Sequence, residues 1–180
     1  GTRYIGRFTV RFDPAGVRAL LRGQNLTLVE TRTSPTLVAP MAAEDTVPET
    51  AALWRDVWTQ GGFRDELAPL LVAPDLLQGS PDWRAAQPYA QAQAAASALY
   101  ATLRVQGGVA SATLVEVSGA PRRDRGVVSV RLAGEDQASL RAALTSLAEQ
   151  ASTRLQNDWK SRATAGGSQR TRVSASALYG

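Results

Sequence analysis

The side chains best able to do chemistry are five carboxylates in the middle of the chain: Asp56, Asp65, Glu66, Asp75 and Asp82. A hydrolase built on carboxylates needs two of them in one cleft, one to donate a proton and one to accept it. Asp65 and Glu66 are sequence neighbours, so on a regular element their side chains point apart. A carboxylate hydrolase is therefore one alternative, and it requires two of these acids to meet in the folded chain.

The sequence contains neither histidine nor cysteine. The lack of cysteine excludes disulfides, thiolate metal sites and cysteine nucleophiles. The lack of histidine removes the usual general base near neutral pH and the commonest metal ligand. No Asp-x-Asp, Gly-x-Ser-x-Gly or phosphate-binding glycine motif is present. We therefore predict that the chain is not an enzyme and has no catalytic residues, cofactor or metal.

Arginine supplies nearly all of the positive charge, since Lys160 is the only lysine. The densest cluster is Arg122, Arg123 and Arg125, which we expect in a turn over 119–126. It could bind phosphate, an anionic lipid head group or an acidic partner, or it could simply be a solvated tip. A basic tail could extend such a patch through Lys160, Arg162, Arg170 and Arg172. Neither stretch is interleaved with aromatic residues, which argues against nucleic acid.

A second arginine set belongs to the predicted first strand, Tyr4 to Phe12, whose even positions are mostly apolar. Arg7 and Arg11 lie on its polar face, where they could line a groove for an anion or pair with carboxylates. The strand leads into a helix capped by Asp13 and ended by Gly23.

Further elements follow in order along the chain. Thr36 to Met41 reads as a buried strand, with Pro40 at its end or on an edge. Thr46 and Glu49 have the spacing of a capping box, and Gly61-Gly62 ends the helix that follows. Trp54 and Trp58 share one face of that helix and are predicted core residues. A third buried strand is predicted over 67–72, interrupted by Pro69.

The second half of the chain predicts a meander followed by a long helix. Asp82 caps a short turn carrying Trp83, and Pro88 opens an Ala-rich helix over 89–96. Strands over 99–105, 110–117 and 128–132 alternate apolar and polar residues, with Gly107-Gly108 as a hairpin turn and one wet face. Asp136 caps the last and longest helix, and a flexible link over 161–170 precedes a final strand.

These elements predict an α+β fold, a mixed α/β sandwich with a sheet of about five to seven strands covered by about four helices. At 180 residues and 44% hydrophobic content, a single domain over 1–180 is expected. No stretch approaches the about twenty apolar residues of a transmembrane helix, and we expect no signal peptide in this chain.

The stretch from Arg11 to Leu21 resembles the opening motif of DUF2066, a family of bacterial envelope domains of unassigned function. The similarity extends to the strand at 36–40, the helix around Trp54 and the meander after an Ala-rich helix. It departs at Gln24-Asn25, where the family often has aromatic residues. The resemblance implies a periplasmic or envelope-associated location and a longer parent protein, and it supplies no catalytic residues. The strand order is also similar to envelope domains of the TolB amino-terminal and curli-assembly lipoprotein type, which bind partners.

Three functional hypotheses result. The first is a non-catalytic interaction module of the envelope that binds a protein partner or an anion. The second is a small-ligand or glycan-binding domain with an arginine-lined groove near Arg7 and Arg11, or a site near Trp54 and Trp83. The third is the carboxylate hydrolase.

Overall fold

A computed structural model describes residues 33–74, 77 and 79–167, with side chains as far as residue 162. Several predictions concern residues outside these ranges, namely the first strand and helix, Arg7, Arg11, Asp75 and the final strand.

The described chain forms one five-stranded sheet with helices on both faces. Strand β1 is parallel to β2 and β3, whereas β3, β4 and β5 form an antiparallel meander. The sheet order is β2-β1-β3-β4-β5. The predicted α+β class and the meander are confirmed, with five strands and three α-helices among the described residues. The elements are β1 (Thr36–Ala42), α1 (Pro48–Gln60), a 3-10 turn (Phe63–Asp65), β2 (Leu70–Val72), α2 (Trp83–Ala92), β3 (Ser97–Gln106), β4 (Val109–Val117), β5 (Arg123–Arg131) and α3 (Gln137–Gly167).

Face 1 of the sheet packs against α1 and α3. Alternate strand residues such as Val38, Leu99 and Leu114 point to this side, as a two-residue period requires. Both tryptophans of α1 are buried, which confirms their core assignment, and the Trp54 indole donates a hydrogen bond to the Ala101 carbonyl at 3.0 Å. Helix α3 contributes the stripe expected from its sequence period, which includes Leu144, Leu147, Ala151 and Leu155.

The described elements cover face 2 only in part. The short helix α2 lies over β1 and β3 and buries Ala86 and Ala90 against Leu37, Ala39 and Tyr100. The Tyr100 hydroxyl donates to the Asp82 carbonyl at 3.0 Å, and burial raises the pKa of Tyr100. The remaining area of the meander carries exposed Thr113, Val127 and Ser129, so the predicted wet face is confirmed.

Two glycines make the β3–β4 hairpin possible. Gly107 and Gly108 have φ values of +58° and +72°, which is the left-handed pair required by a two-residue hairpin turn. Gly126 has φ +79° beside the register shift between β4 and β5.

Pro40 lies inside β1 rather than at its end, and β1 is not an edge strand because β2 and β3 flank it; the proline is tolerated where β1 extends beyond the short β2. Strand β2 pairs only with Thr36 to Val38. The Thr36 N–H donates to the Pro69 carbonyl, and the Val38 carbonyl accepts from the Ala73 N–H, so the backbone N–H and C=O groups of the even-numbered residues of β1 point towards β2. The Pro40 nitrogen therefore points past the end of β2, where no described strand offers a ladder partner. The strand predicted over 67–72 begins only at Leu70, after Pro69.

The predicted starts of α1 and α2 are wrong. Helix α1 begins at Pro48, with Val47 as N-cap and no side-chain cap, because proline is suited to the first helical position. Helix α2 begins at Trp83, where the Asp82 carboxylate accepts from the Arg84 N–H, and it contains Pro88 rather than starting there. The N-cap bond of Asp82 therefore fixes the start of α2 five residues before Pro88.

Two predicted connections are shorter than expected. The turn predicted over 119–126 ends at Arg123, because β5 pairs Arg123 with Glu116 and Asp124 with Val115. The flexible link predicted over 161–170 is also wrong over its first part, since α3 continues to Gly167. The predicted cap of α3 is confirmed, because Asp136 accepts from both the N–H and the hydroxyl of Ser139.

Candidate binding site at one end of the sheet

One end of the sheet gathers polar residues beneath the last described turns of α3. Strands β1 and β3 begin at this end, and the antiparallel register makes β4 end and β5 begin there as well. The register aligns Thr36 with Ser97 and Glu116 with Arg123. The two-residue period directs Thr36, Ser97 and Glu116 to face 1, where leucines lie further along the strands. Arg123 reaches the same face because the register shift between Leu114 and Val115 pairs it with Glu116.

These residues line a cavity of about 220 Å³, hereafter the end pocket. Thr36 and Ser97 form its hydroxyl floor, since their side-chain oxygens are 3.1 Å apart and Ser97 is 7% exposed. Trp159 and Arg162 of α3 form the facing wall. The whole lining consists of Thr33, Ser34, Thr36, Ala68, Leu70, Ala96, Ser97, Glu116, Ser118, Arg123, Leu155, Trp159 and Arg162.

Arg125 binds two acidic side chains beside the end pocket. Its guanidinium forms ion pairs with both Glu116 and Asp158, the second at 2.6 Å. The side chains of Arg125 and Glu116 are 12% and 13% exposed, so this pair is largely shielded from water. The irregularity after Leu114 and the φ of Gly126 give Arg125 its place in the strand.

Two arginines at the end pocket have side-chain nitrogens that form no ion pair with the described residues. No hydrogen bond or ion pair joins the exposed side chain of Arg123 to another described residue. Arg162 is also exposed, and its Nε donates to the Asp158 backbone carbonyl, which leaves the two terminal nitrogens for other acceptors. Counting only described residues, Arg123, Arg125 and Arg162 lie near Glu116 and Asp158, so the sum of these five charges is positive.

The predicted arginine cluster therefore divides into two roles. Arg122 is exposed in the loop before β5, and Arg123 lines the end pocket. Arg125 is not at an exposed tip: it lies within β5 and is held by two carboxylates. The structure places Arg162 at the same pocket as Arg123, whereas Arg170 and Arg172 lie outside the described residues.

Four of the five candidate acids are described, and they occupy separate places. Asp56 is exposed on α1 and Asp65 in the 3-10 turn. Glu66 accepts hydrogen bonds from Ser152 and Gln156 of α3, and Asp82 caps α2. Over residues 33–74, 77 and 79–167, no group of three or more acidic side chains is placed to hold a metal ion.

The ligand site expected near Trp54 and Trp83 does not form. Trp54 is 0% exposed in the face 1 core, and Trp83 packs against the core of face 2. The sheet separates the two rings, so they cannot line one groove.

Sequence reasoning missed Thr36, Ser97, Glu116 and Trp159 as members of a site. One signal was present: Glu116 continues the inward-facing positions Ala110, Ala112 and Leu114 of β4. A carboxylate at a core-facing position requires a partner, which is Arg125. The hydroxyl pair had no such signal, because it depends on the register between β1 and β3.

Comparisons with known proteins give no assignment. No protein-family model and no curated protein matches the chain, so the resemblance to DUF2066 stays a prediction. Similar solved structures include a PelC dodecamer from Paraburkholderia phytofirmans, with 16% identity over 65% of this chain and 86% of that chain and a TM-score of 0.37. A Xanthomonas campestris protein of family DUF330 has 14% identity over 80% and 93% of the two chains and a TM-score of 0.39. At TM-scores this low, neither likeness supports a function.

None of the helices over the described ranges is long and apolar enough to cross a membrane.

Proposed function

We propose that this domain is a non-catalytic interaction module of the bacterial envelope, and that the end pocket with its surrounding arginines contacts an acidic partner. The envelope location rests on the resemblance of residues 11–21 to DUF2066. The contact surface rests on one observation: Arg123 and Arg162, from distant parts of the sequence, line the same cavity, and neither is paired with a carboxylate of a described residue.

Charge arrangement supports an acidic partner over a neutral one. Among the described residues, the two carboxylates that pair with Arg125 offset the charge of Arg125 and of one further arginine, so together with Arg123 and Arg162 the group keeps a net positive charge. Arg122 extends the basic surface outside the cavity. Guanidinium groups bind carboxylates in bidentate geometry, and positive surfaces accelerate encounter with negative ones.

Site-specific photocrosslinking in the native host tests this proposal. The exposed Ala120 lies in the loop beside the pocket, and a photoreactive p-benzoylphenylalanine placed there samples whatever occupies the surface. The control carries the same group at Arg84, an exposed position of α2 on the other face. We expect a discrete adduct from position 120 only, which mass spectrometry then identifies.

The adduct must also depend on charge. The double variant Arg122→Glu, Arg123→Glu should remove it, while Arg64→Glu, an exposed arginine in the 3-10 turn, should not. Arg125 stays unchanged because it holds two carboxylates within the fold. Equal adducts at positions 120 and 84, or an adduct that survives the double variant, would overturn the proposal.

A further inference from the structure

We infer that the end pocket receives a single acidic side chain, glutamate or aspartate, from the partner protein. This inference rests on the proposed function and names the group by which the partner is anchored. The carboxylate binds Arg162 and Arg123 at the mouth, and the aliphatic part of the same side chain packs against Trp159.

The size of the end pocket limits what can enter it. Its volume of about 220 Å³ is below the range of about 300–1,000 Å³ found for sites that enclose drug-sized ligands. One amino-acid side chain fits such a space, whereas an extended ligand would have to lie mainly outside it. The pocket is therefore suited to an anchor residue rather than to a whole ligand.

The lining matches the chemistry of an acidic side chain. Two guanidinium groups can donate several charge-assisted hydrogen bonds to one carboxylate. Leu155 and Trp159 supply apolar surface for methylene groups, with Trp159 half-buried in the wall. The Thr36–Ser97 pair keeps one hydroxyl hydrogen for an incoming oxygen, because only one of the two hydroxyls is consumed in their mutual bond.

Residue types at the mouth are also those that dominate binding energy in protein interfaces. Tryptophan and arginine are enriched among such residues, and they cluster around pockets that take an anchor from the partner. Exposed Arg122 just outside the pocket would meet a second acidic residue on the same partner, which a small free ligand could not supply. These features favour a protein partner over an acidic sugar.

The experiment uses the full chain labelled with nitrogen-15 and follows the indole N–H signals of its four tryptophans by NMR. A Trp159→Phe variant assigns the Trp159 signal. The probe is N-acetylglutamate methylamide, and the matched neutral probe is N-acetylglutamine methylamide at equal ionic strength. We expect a saturable shift of the Trp159 signal with the acidic probe, at millimolar concentration, and none with the neutral one.

Two arginine variants show where the acidic probe binds. Arg162→Gln should weaken binding of the acidic probe about tenfold, the effect of losing one charge-assisted hydrogen bond. Arg84→Gln, on the opposite face, should leave the titration unchanged. The three other indole signals report whether each variant keeps the fold, so a lost response cannot be mistaken for unfolding.

Three outcomes would overturn the inference: a shift that never saturates, an equal response to the neutral probe, or tighter binding of glucuronate, which would assign the pocket to acidic sugars. Failure here is distinguishable from failure of the proposed function. A charge-dependent adduct at position 120 together with a silent Trp159 signal would retain the interaction module and reject the anchor.

Discussion

The two faces of the sheet are packed with side chains of different size. Face 1 is filled by large side chains, including Trp54, Trp58 and Leu147, and two helices cover it. Face 2 is covered over β1 and β3 by one short helix that offers Ala86 and Ala90. The fully buried residues of that helix are small, which lets it lie close to the strands, and its larger side chains are only half-buried. Face 1 therefore contributes most of the hydrophobic stabilisation, whereas on face 2 the helix and the strands are held together by close backbone packing.

Aromatic packing strengthens the contrast. Trp54 and Trp58 meet edge to face with ring centroids 5.4 Å apart, and Phe63 lies 5.1 Å from Trp58. This cluster joins α1 to the 3-10 turn before β2. Such pairs contribute about 0.5–1.5 kcal/mol beyond the burial of their area. On face 2, the polar tether from Tyr100 to Asp82 holds the start of α2 instead.

Removing an aromatic ring from face 1 should cause the largest loss of stability. Trp54→Ala should reduce the free energy of unfolding by about 3–5 kcal/mol, because it leaves a cavity and an unpaired Ala101 carbonyl lone pair. Urea denaturation followed by circular dichroism measures the change. Trp83→Ala on face 2, where the ring is only half-buried, should cost clearly less; an equal loss would contradict the contrast.

The next largest effect is expected where β5 is tied to α3 on face 1. Arg125→Met should destabilise the fold by about 2–3 kcal/mol, since it leaves Glu116 without its partner in a site 13% exposed. The value lies below that of a fully buried pair because Asp158 is 42% exposed. The double variant Arg125→Met, Glu116→Gln should recover part of the loss in the same denaturation assay, and no recovery would show that charge burial is not the cause.

On face 2, where α2 lies close to the strands, adding side-chain atoms rather than removing them should destabilise the fold. Ala90→Leu should cost about 1–2 kcal/mol, because Ala90 is 0% exposed and the added atoms must displace α2 from the strands. Ala85→Leu, at an exposed position of the same helix, is the matched control and should change stability little. The denaturation midpoints of the two variants give the comparison directly. If Ala90→Leu were neutral, face 2 would have unused space.

The smallest effect concerns the cap of α3. Hydrogen bonds from Ser139 lower the pKa of Asp136 below its ordinary 3.8. A folded-state pKa below the unfolded value gives stability that is present at neutral pH and is lost as pH falls through the folded pKa. Asp136→Asn keeps a capping oxygen without the charge.

The measurement is the difference in thermal midpoint between wild type and Asp136→Asn from about pH 7 to pH 2.5. The difference should be constant above about pH 5 and close as the pH falls below 4. Other titrating groups cancel because both chains carry them. A difference that does not change with pH would show that the carboxylate charge has no part in the cap.

Some elements were predictable because their signals are local. The paired glycines at 107–108, the tryptophan pair at 54 and 58, and the Asp136 cap each depend on neighbouring residues alone. Errors arose where two local signals competed. Pro88 suggested a helix start, yet the Asp82 cap began α2 earlier, and Pro48 replaced the capping box expected from Thr46.

Residue types and short periods were enough to predict the α+β class, the meander with one wet face and the core tryptophans, and the composition alone showed that histidine and cysteine are absent. The folded arrangement was needed to see that Arg125 is bound in an ion-pair network while Arg123 and Arg162 share a pocket. Strand order and register bring together residues far apart in the chain, and no local period encodes that register.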